Sequence, residues 1–214
     1  MNKGSPAESR VQTLRLRVKR ETRTAILAAA ESVFAERGFH RAHMQEIASR
    51  AGIAVGTVYN YFEDRQQLLG ALIDRYGAQL DVKLDRVLHG RMAFRKRLEA
   101  FLDIVVQHID ERWQVFAILI EDEFARGRGG SGTSRNRPAL REVYHAAERL
   151  FQIGRRQRAV RRNADDLYAA LLVGAVRALF THHLYAERGA PLRGRVPQLV
   201  SFFLEGAGVG GAGN

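Results

Sequence analysis

Cysteine is absent from these 214 residues, which excludes disulfides, thiolate catalysis and cysteine-held zinc together. No apolar run approaches the roughly 18 residues that a membrane span needs. With 46% hydrophobic and 27% charged residues, a soluble globular chain is expected, with no membrane partner. The opening stretch MNKGSPAESR leads into no apolar segment of the kind a secretory signal requires, so the cytoplasm is the expected compartment. Acids are in deficit: 23 Asp and Glu stand against 34 Lys and Arg, a net charge of +11. Such an excess points to a polyanionic partner, nucleic acid first and membrane surface second. No stretch alternates with period two for long enough to read as a strand. The fold class is therefore all-α.

The positive charge is concentrated. Arg10, Arg15, Arg17, Lys19, Arg20 and Arg23 face the single acid Glu21 just ahead of an apolar-periodic segment, which reads as a basic arm or a basic first turn. A second run, Arg155, Arg156, Arg158, Arg161 and Arg162, follows Gly154 and reads as a solvated connector between helices.

Helical periodicity organises the rest. Ile26, Ala30, Val33 and Phe34 fall on one helical face, and Gly38 followed by Phe39 has the form of a left-handed helix stop with its hydrophobic contact. Two short helices are expected over 44–51 and 56–62, with Gly52 between them. A long helix over 64–89 carries Leu68, Leu69, Leu72, Ile73, Tyr76 and Leu80 on its apolar side and reads as the bridge between two parts of the chain. Further helices are expected over 94–109, 111–126, 138–153, 164–186 and 197–205, about nine in all. The glycine- and serine-rich stretch 127–138 reads as a mobile loop, and the tail after Glu205 as disordered.

The segment MQEIASRAGIAVGTVYNYF, residues 44–62, has the layout of a helix-turn-helix. Ala48 is small where two helices approach closely, Gly52 lies where the turn needs a positive φ, and Ile47, Ile53 and Val58 supply the core beneath. A second helix held this way offers its N-terminal residues to the DNA major groove. Thr57, Tyr59, Asn60 and Tyr61 are the outward candidates, whereas Phe62 and part of Tyr59 read as core.

With these residues in place, the segment 25–72, AILAAAESVFAERGFHRAHMQEIASRAGIAVGTVYNYFEDRQQLLGAL, resembles the DNA-binding domain of the TetR/AcrR family of transcriptional regulators. The resemblance covers the first third of the chain, with its motifs at family spacing. It implies that Gln45, Gly56, Thr57, Tyr59, Asn60 and Tyr61 approach bases or phosphates. It also gives Arg65 the role of the family's phosphate-binding lysine. Ala42 and His43 stand where the family places a threonine or serine before the second helix, and Ala54 and Val55 where many members have serine then lysine. Glu46 completes a weakened capping box with His43, which is counted among the DNA-facing residues. The arm cations Lys19, Arg20 and Arg23 offer non-specific charge to the DNA backbone in place of the missing phosphate contacts.

The division expected is a basic arm over 1–21, a helix-turn-helix domain over 22–66, a ligand-binding and dimerisation domain over 67–205, and a tail over 206–214. The helix over 164–186 is apolar around most of its circumference. It and the last helix resemble the pair that forms the family's four-helix dimer interface, with Leu171, Ala175, Leu179, Val200, Phe202 and Phe203 at the seam. For an effector pocket the candidates on helices four to eight are Tyr76, Phe101, His108, Trp113 and Phe116, together with Leu119, Glu123, Tyr144 and His145. Such a set suits a small hydrophobic or amphipathic effector. The function that follows is a ligand-released repressor that binds a palindromic operator as a homodimer. A ligand-independent regulator or an activator is the alternative. The sets His108, Asp110 and Glu111, and His182, His183 and Glu187, match no catalytic or metal-ligand spacing. An enzyme, a metal and a cofactor are therefore not expected.

Overall fold

A computed structural model describes residues 6–126, 138–161, 165–185 and 191–207. Among them are nine α-helices and no β-strand. They are α1 (Pro6–Arg37), α2 (Met44–Ala51), α3 (Val55–Tyr59), α4 (Arg65–His89), α5 (Phe94–Asp110), α6 (Trp113–Arg126), α7 (Pro138–Arg156), α8 (Asp165–Tyr185) and α9 (Val196–Ala207), with a 3-10 turn, Leu192–Arg195, ahead of α9. The expected loop over 127–138 lies outside the described residues except for Pro138, the first residue of α7. Of the expected tail only Gly206 and Ala207 are described, and both are helical. The chain divides into two compact units, one up to Leu72 and the other from Ile73 onward, so the boundary falls inside α4.

Two sequence expectations change. The basic arm is not separate from the first helix, because α1 runs unbroken from Pro6 to Arg37 with every residue from Arg10 to Glu21 exposed. An i,i+4 pair, Arg17 Nε to Glu21 at 2.7 Å, supports the extension, and no glycine or proline interrupts it after Pro6. The second change concerns apolar length. Asp166–Tyr185 is long and apolar enough to cross a membrane by length and composition, with mean hydropathy 1.3. The single Arg177 and the acid at its start break the run to the eye without lowering its mean far. Only 28% of this stretch is buried within the chain.

In the first unit the sequence pattern becomes packing directly. Ile26, Ala30, Val33 and Phe34 of α1 are buried with Ile47 and Ala48 of α2, Val58 of α3 and Leu68, Leu69 and Leu72 of α4. Gly38 adopts φ +76, its N–H donating to the Phe34 carbonyl at 3.0 Å. That turn brings Phe39 back edge-on to Phe34 at 5.3 Å. Gly52 does the same for α2 with φ +69. Both conformations strain any residue bearing a Cβ.

The second unit closes around Leu84, Leu98, Phe101, Leu102, Leu150 and Phe151, with Leu172 and Phe180 of α8 and Val200 and Phe203 of α9. Each such side chain contributes about 1.5–3 kcal/mol on burial. The turn between α4 and α5 is tied by a buried cation. Arg97 donates to the carbonyls of Leu88 (2.9 Å), Gly90 (2.6 Å) and Met92 (3.2 Å), and also to that of Val87. Two carbonyl oxygens in the last turn of α4 and two in the turn after it are thereby satisfied. Gly154 of α7 is demanded by packing, since a Cβ there would lie 2.6 Å from both the Phe94 ring and Val160.

Candidate nucleic-acid interface and ligand cavity

The second helix of the helix-turn-helix begins at Ala54, whose extended backbone (φ −65, ψ 142) starts α3 without a side-chain cap. The Thr57 N–H donates to the Ala54 carbonyl at 2.9 Å, so the first turn is closed by backbone alone. Within α3 only Val58 is fully buried, and Phe62, one turn on, is buried beside it. Thr57 and Tyr61 are half-buried, Asn60 is exposed, and Tyr59 is 48% exposed. A Cβ at Gly56 would meet nothing within 4 Å, so packing within the chain does not demand glycine there. Thr57, Tyr59, Asn60 and Tyr61 give this edge hydrogen-bonding groups, as base readout requires, beside the exposed Val55.

On α2, Gln45 is exposed. His43, the residue before the helix, donates its N–H to the Glu46 carboxylate at 3.3 Å. Glu46 thus reaches back as a capping-box partner. Lys19 and Arg20 are exposed on α1. The Arg23 guanidinium stands 5.2 Å over the Phe62 ring, which ties it to the core beneath α3.

Arg65 carries a role that sequence reasoning did not assign. Its Nη1 donates to the carbonyls of Phe39 (3.0 Å), His40 (2.6 Å) and Ala42 (3.1 Å), and its guanidinium lies 5.5 Å from the Phe39 ring centre. The half-buried side chain thus holds the turn that leads into α2. Three acceptors on one nitrogen are the signature of a cation fixing a loop.

The second unit holds an apolar cavity of about 150 Å³ between α4, α5, α6, α7 and α8. Of the residues expected to line a pocket, Phe101, Phe116, Leu119 and Tyr144 are on its wall. Four others stand elsewhere. Trp113 packs against Phe180, ring centres 4.5 Å apart with the planes tilted by 56°. His145 is exposed beside Glu148 at 3.2 Å. Tyr76 and His108 are buried against each other, ring centres 6.1 Å apart, with His108 behind Phe116 at 6.2 Å. The side chain of Glu123 lies outside the described residues. Burial, followed by the nearby Arg112 and Lys83 cations, pushes the His108 imidazole down to about 4. It is therefore neutral near pH 7, its Nδ1 placed 3.3 Å from Arg112 Nη1.

Of the six residues expected at a dimer seam, Leu171 and Phe202 are 50% and 66% exposed. Ala175 and Leu179 are half-buried. Val200 and Phe203 belong instead to the unit's own core, because α9 turns that face toward α5. Leu167, at 54% exposed, extends the open row one turn toward the start of α8.

The family model described as bacterial regulatory proteins, tetR family, matches residues 26–72, the stretch that builds this helix-turn-helix. Residues 26–72 thus form a TetR-family domain. Over 104 residues it is 31% identical to the transcriptional activator FasR of Mycolicibacterium smegmatis, covering 49% of this chain and 48% of that one. Over 110 residues it is 34% identical to the transcriptional repressor Rv3405c of Mycobacterium tuberculosis, covering 51% and 52%. The chain spans about half the length of the curated relatives it matches. Its fold is similar to that of the transcriptional regulator FadR from Bacillus subtilis, solved in complex with stearoyl-CoA. The TM-score is 0.72 at 18% identity, over 86% of this chain and 98% of that one.

Among the wall residues that sequence reasoning missed are Leu80, Val105, Leu172, Val176, Arg177 and Phe180. The α8 members carried a signal, since Leu172, Val176 and Phe180 recur at i, i+4 and i+8. The same row serves core and cavity alike, and periodicity does not separate the two.

Proposed function

We propose that this chain is a transcriptional repressor that grips a palindromic operator as a homodimer and leaves it when a small apolar or amphipathic molecule occupies the cavity. The observation that carries the reading is the composition of α3, where one buried side chain, Val58, anchors a helix that leaves Thr57 and Tyr59, with Asn60 after it, accessible to hydrogen-bond. Gln45, Thr57 and Asn60 read base edges, while Lys19 and Arg20 on the exposed face of α1 meet phosphates. Pairing uses the open face of α8 and α9 around Leu171 and Phe202, and the protein works in the cytoplasm. The effector acts by favouring a dimer conformation of lower operator affinity. Support comes from the apolar cavity, from the repressor Rv3405c, and from FadR, whose solved complex holds stearoyl-CoA. The activator FasR favours a second reading, in which the same binding raises transcription, and reporter transcription from the bound site decides between them.

The test is fluorescence anisotropy of the full chain on its operator duplex and on a scrambled duplex, with and without small apolar compounds. Operator affinity is expected to exceed scrambled affinity by about 1,000-fold or more, and at least one compound that fills the cavity should weaken operator binding. Equal affinity for the two duplexes would contradict the DNA-reading role. An operator affinity that no cavity-filling compound moves would contradict the release mechanism.

A further inference from the structure

We infer that exposed cations where the end of α7 meets the α4–α5 turn form a second DNA-binding surface, which holds the phosphate backbone of duplex DNA without reading its sequence. This surface lies in the second unit and uses none of the operator-reading residues. Packing brings two cationic segments together. Gln157 Nε2 donates to the Met92 carbonyl at 3.0 Å, and Gly154 lies against the Phe94 ring. Arg91, Arg95 and Lys96 come from one segment and Arg156 and Arg158 from the other, all five exposed. None of them forms an ion pair among the described residues, while Arg155 and Arg161 border them and already interact within the chain. The buried Arg97, bound to the carbonyls of the α4–α5 turn, holds the platform rigid.

Two features of the junction set cations where the backbone disfavours them. Helix α5 begins with no side-chain cap and no acid in its first turn, yet Arg91, Arg95 and Lys96 crowd that positive end of its dipole. Arg158 is, among the described residues, the one non-glycine with a positive φ, 58°. It follows α7 at the left-handed position that glycine favours, its N–H donating to the Arg155 carbonyl at 3.0 Å and the Ala159 N–H to the Gly154 carbonyl at 2.9 Å. The negative end of α7 accounts for Arg156. It accounts neither for the α5 cations nor for an arginine in left-handed backbone, a kind of outlier that persists where a site needs it. An anion outside the chain offsets both.

Chemistry selects the anion. Between Val82 and Leu167 no large hydrophobic side chain is exposed among the described residues. The surface therefore lacks the apolar anchor of a lipid-inserting helix or a protein hot spot, and the rings on which single strands stack. Four of the five free cations are arginines, whose planar guanidinium pairs with phosphate oxygens through two parallel hydrogen bonds. A duplex presents such phosphates in a regular row, and each contact gains by counterion release.

The experiment titrates the full chain, free or in a stoichiometric complex with unlabelled operator duplex, into a labelled scrambled duplex at several salt concentrations. Anisotropy is the readout, and thermal melts check folding. The complex should bind the scrambled duplex with a Kd on the order of 10⁻⁴–10⁻⁶ M. The combined variant Arg95→Gln, Lys96→Gln, Arg156→Gln and Arg158→Gln should reduce the salt slope by about two or more and weaken that binding about tenfold or more, leaving base preference unchanged. Arg158→Gly, which suits the left-handed backbone, should weaken it about threefold with no fall in Tm. A complex that ignores the scrambled duplex, a combined variant that binds it as the wild type does, or tighter binding of polyglutamate or phosphatidylglycerol vesicles than of the duplex overturns the inference. If the free chain prefers no operator and the combined variant still lowers its salt slope, the operator-reading role falls and this inference stands. If the operator is preferred and its complex ignores the scrambled duplex, the reverse holds.

Discussion

Replacing Arg65 by alanine separates two accounts of the same residue. A simple phosphate ligand would lose only grip on DNA, reducing the salt slope of binding by about one. The geometry adds a second consequence. Nη1 has two hydrogens serving three carbonyl acceptors, those of Phe39, His40 and Ala42, so the set amounts to two charge-assisted hydrogen bonds. Such bonds contribute about 1.5–3 kcal/mol each when desolvated, and Arg65 is only half-buried, which reduces them to about 1 kcal/mol each. The contact with the Phe39 ring adds about 0.5 kcal/mol at a partly exposed site. Arg65→Ala should therefore cost about 2–3 kcal/mol. In a chain of this length that is roughly 5–10 °C in Tm if the units melt together. Amide exchange at residues 39–43 should quicken more than elsewhere. Arg65→Lys should restore part of the salt slope but little of the stability, because an ammonium does not span the three carbonyls. A melting curve for Arg65→Ala within about 1 °C of wild type would refute the reasoning.

Gly154→Ala drives a Cβ into the Phe94 ring and Val160 and should destabilise the second unit by about 1–3 kcal/mol, read by urea denaturation. The His108 imidazole, held near 4 against 6.5, lets the unfolded state take up a proton first. Stability should be full above pH 6.5 and fall as the pH drops toward 4, by about 3 kcal/mol in total, and His108→Phe should flatten that part of the profile. The double variant Leu171→Asp with Phe202→Asp changes side chains that are half or more exposed in the single chain, so it should stay folded and sediment as a monomer; a folded dimer would place the seam elsewhere. Thr57→Ala should shift base preference at defined operator positions by about 1–3 kcal/mol while leaving the salt slope unchanged, measured by competition between operator variants.

Much of the first unit was legible because its constraints are local. Gly38 and Gly52 announced positive φ and adopt it, and the spacing of Ile26, Ala30, Val33 and Phe34 announced a buried face. Helix ends in the second unit also fell within a few residues of expectation, since apolar periodicity persists to the last turn. Other features depend on contacts far apart in sequence. Arg65 reaches carbonyls more than twenty residues back, and no local pattern reports a side chain's backbone partners. The helical continuation of α1 was hidden because a run of cations reads equally as an arm and as an exposed helix. Which ring meets the cavity was not readable either. Trp113 and Phe116 lie three residues apart on α6, yet Trp113 packs behind Phe180 and Phe116 lines the space. The α9 face was divided by the same three-dimensional detail, with Phe202 outward and Phe203 in the core.

The most direct test of a dimeric, sequence-reading regulator is selection of duplexes from a random library by the full chain, followed by sedimentation of the complex with the enriched site. The account predicts a two-fold symmetric sequence, with half-sites a whole number of helical turns apart, each site bound by copies of the chain in a multiple of two. Recovery of no enriched sequence, or of an asymmetric site occupied by a single copy, would contradict it.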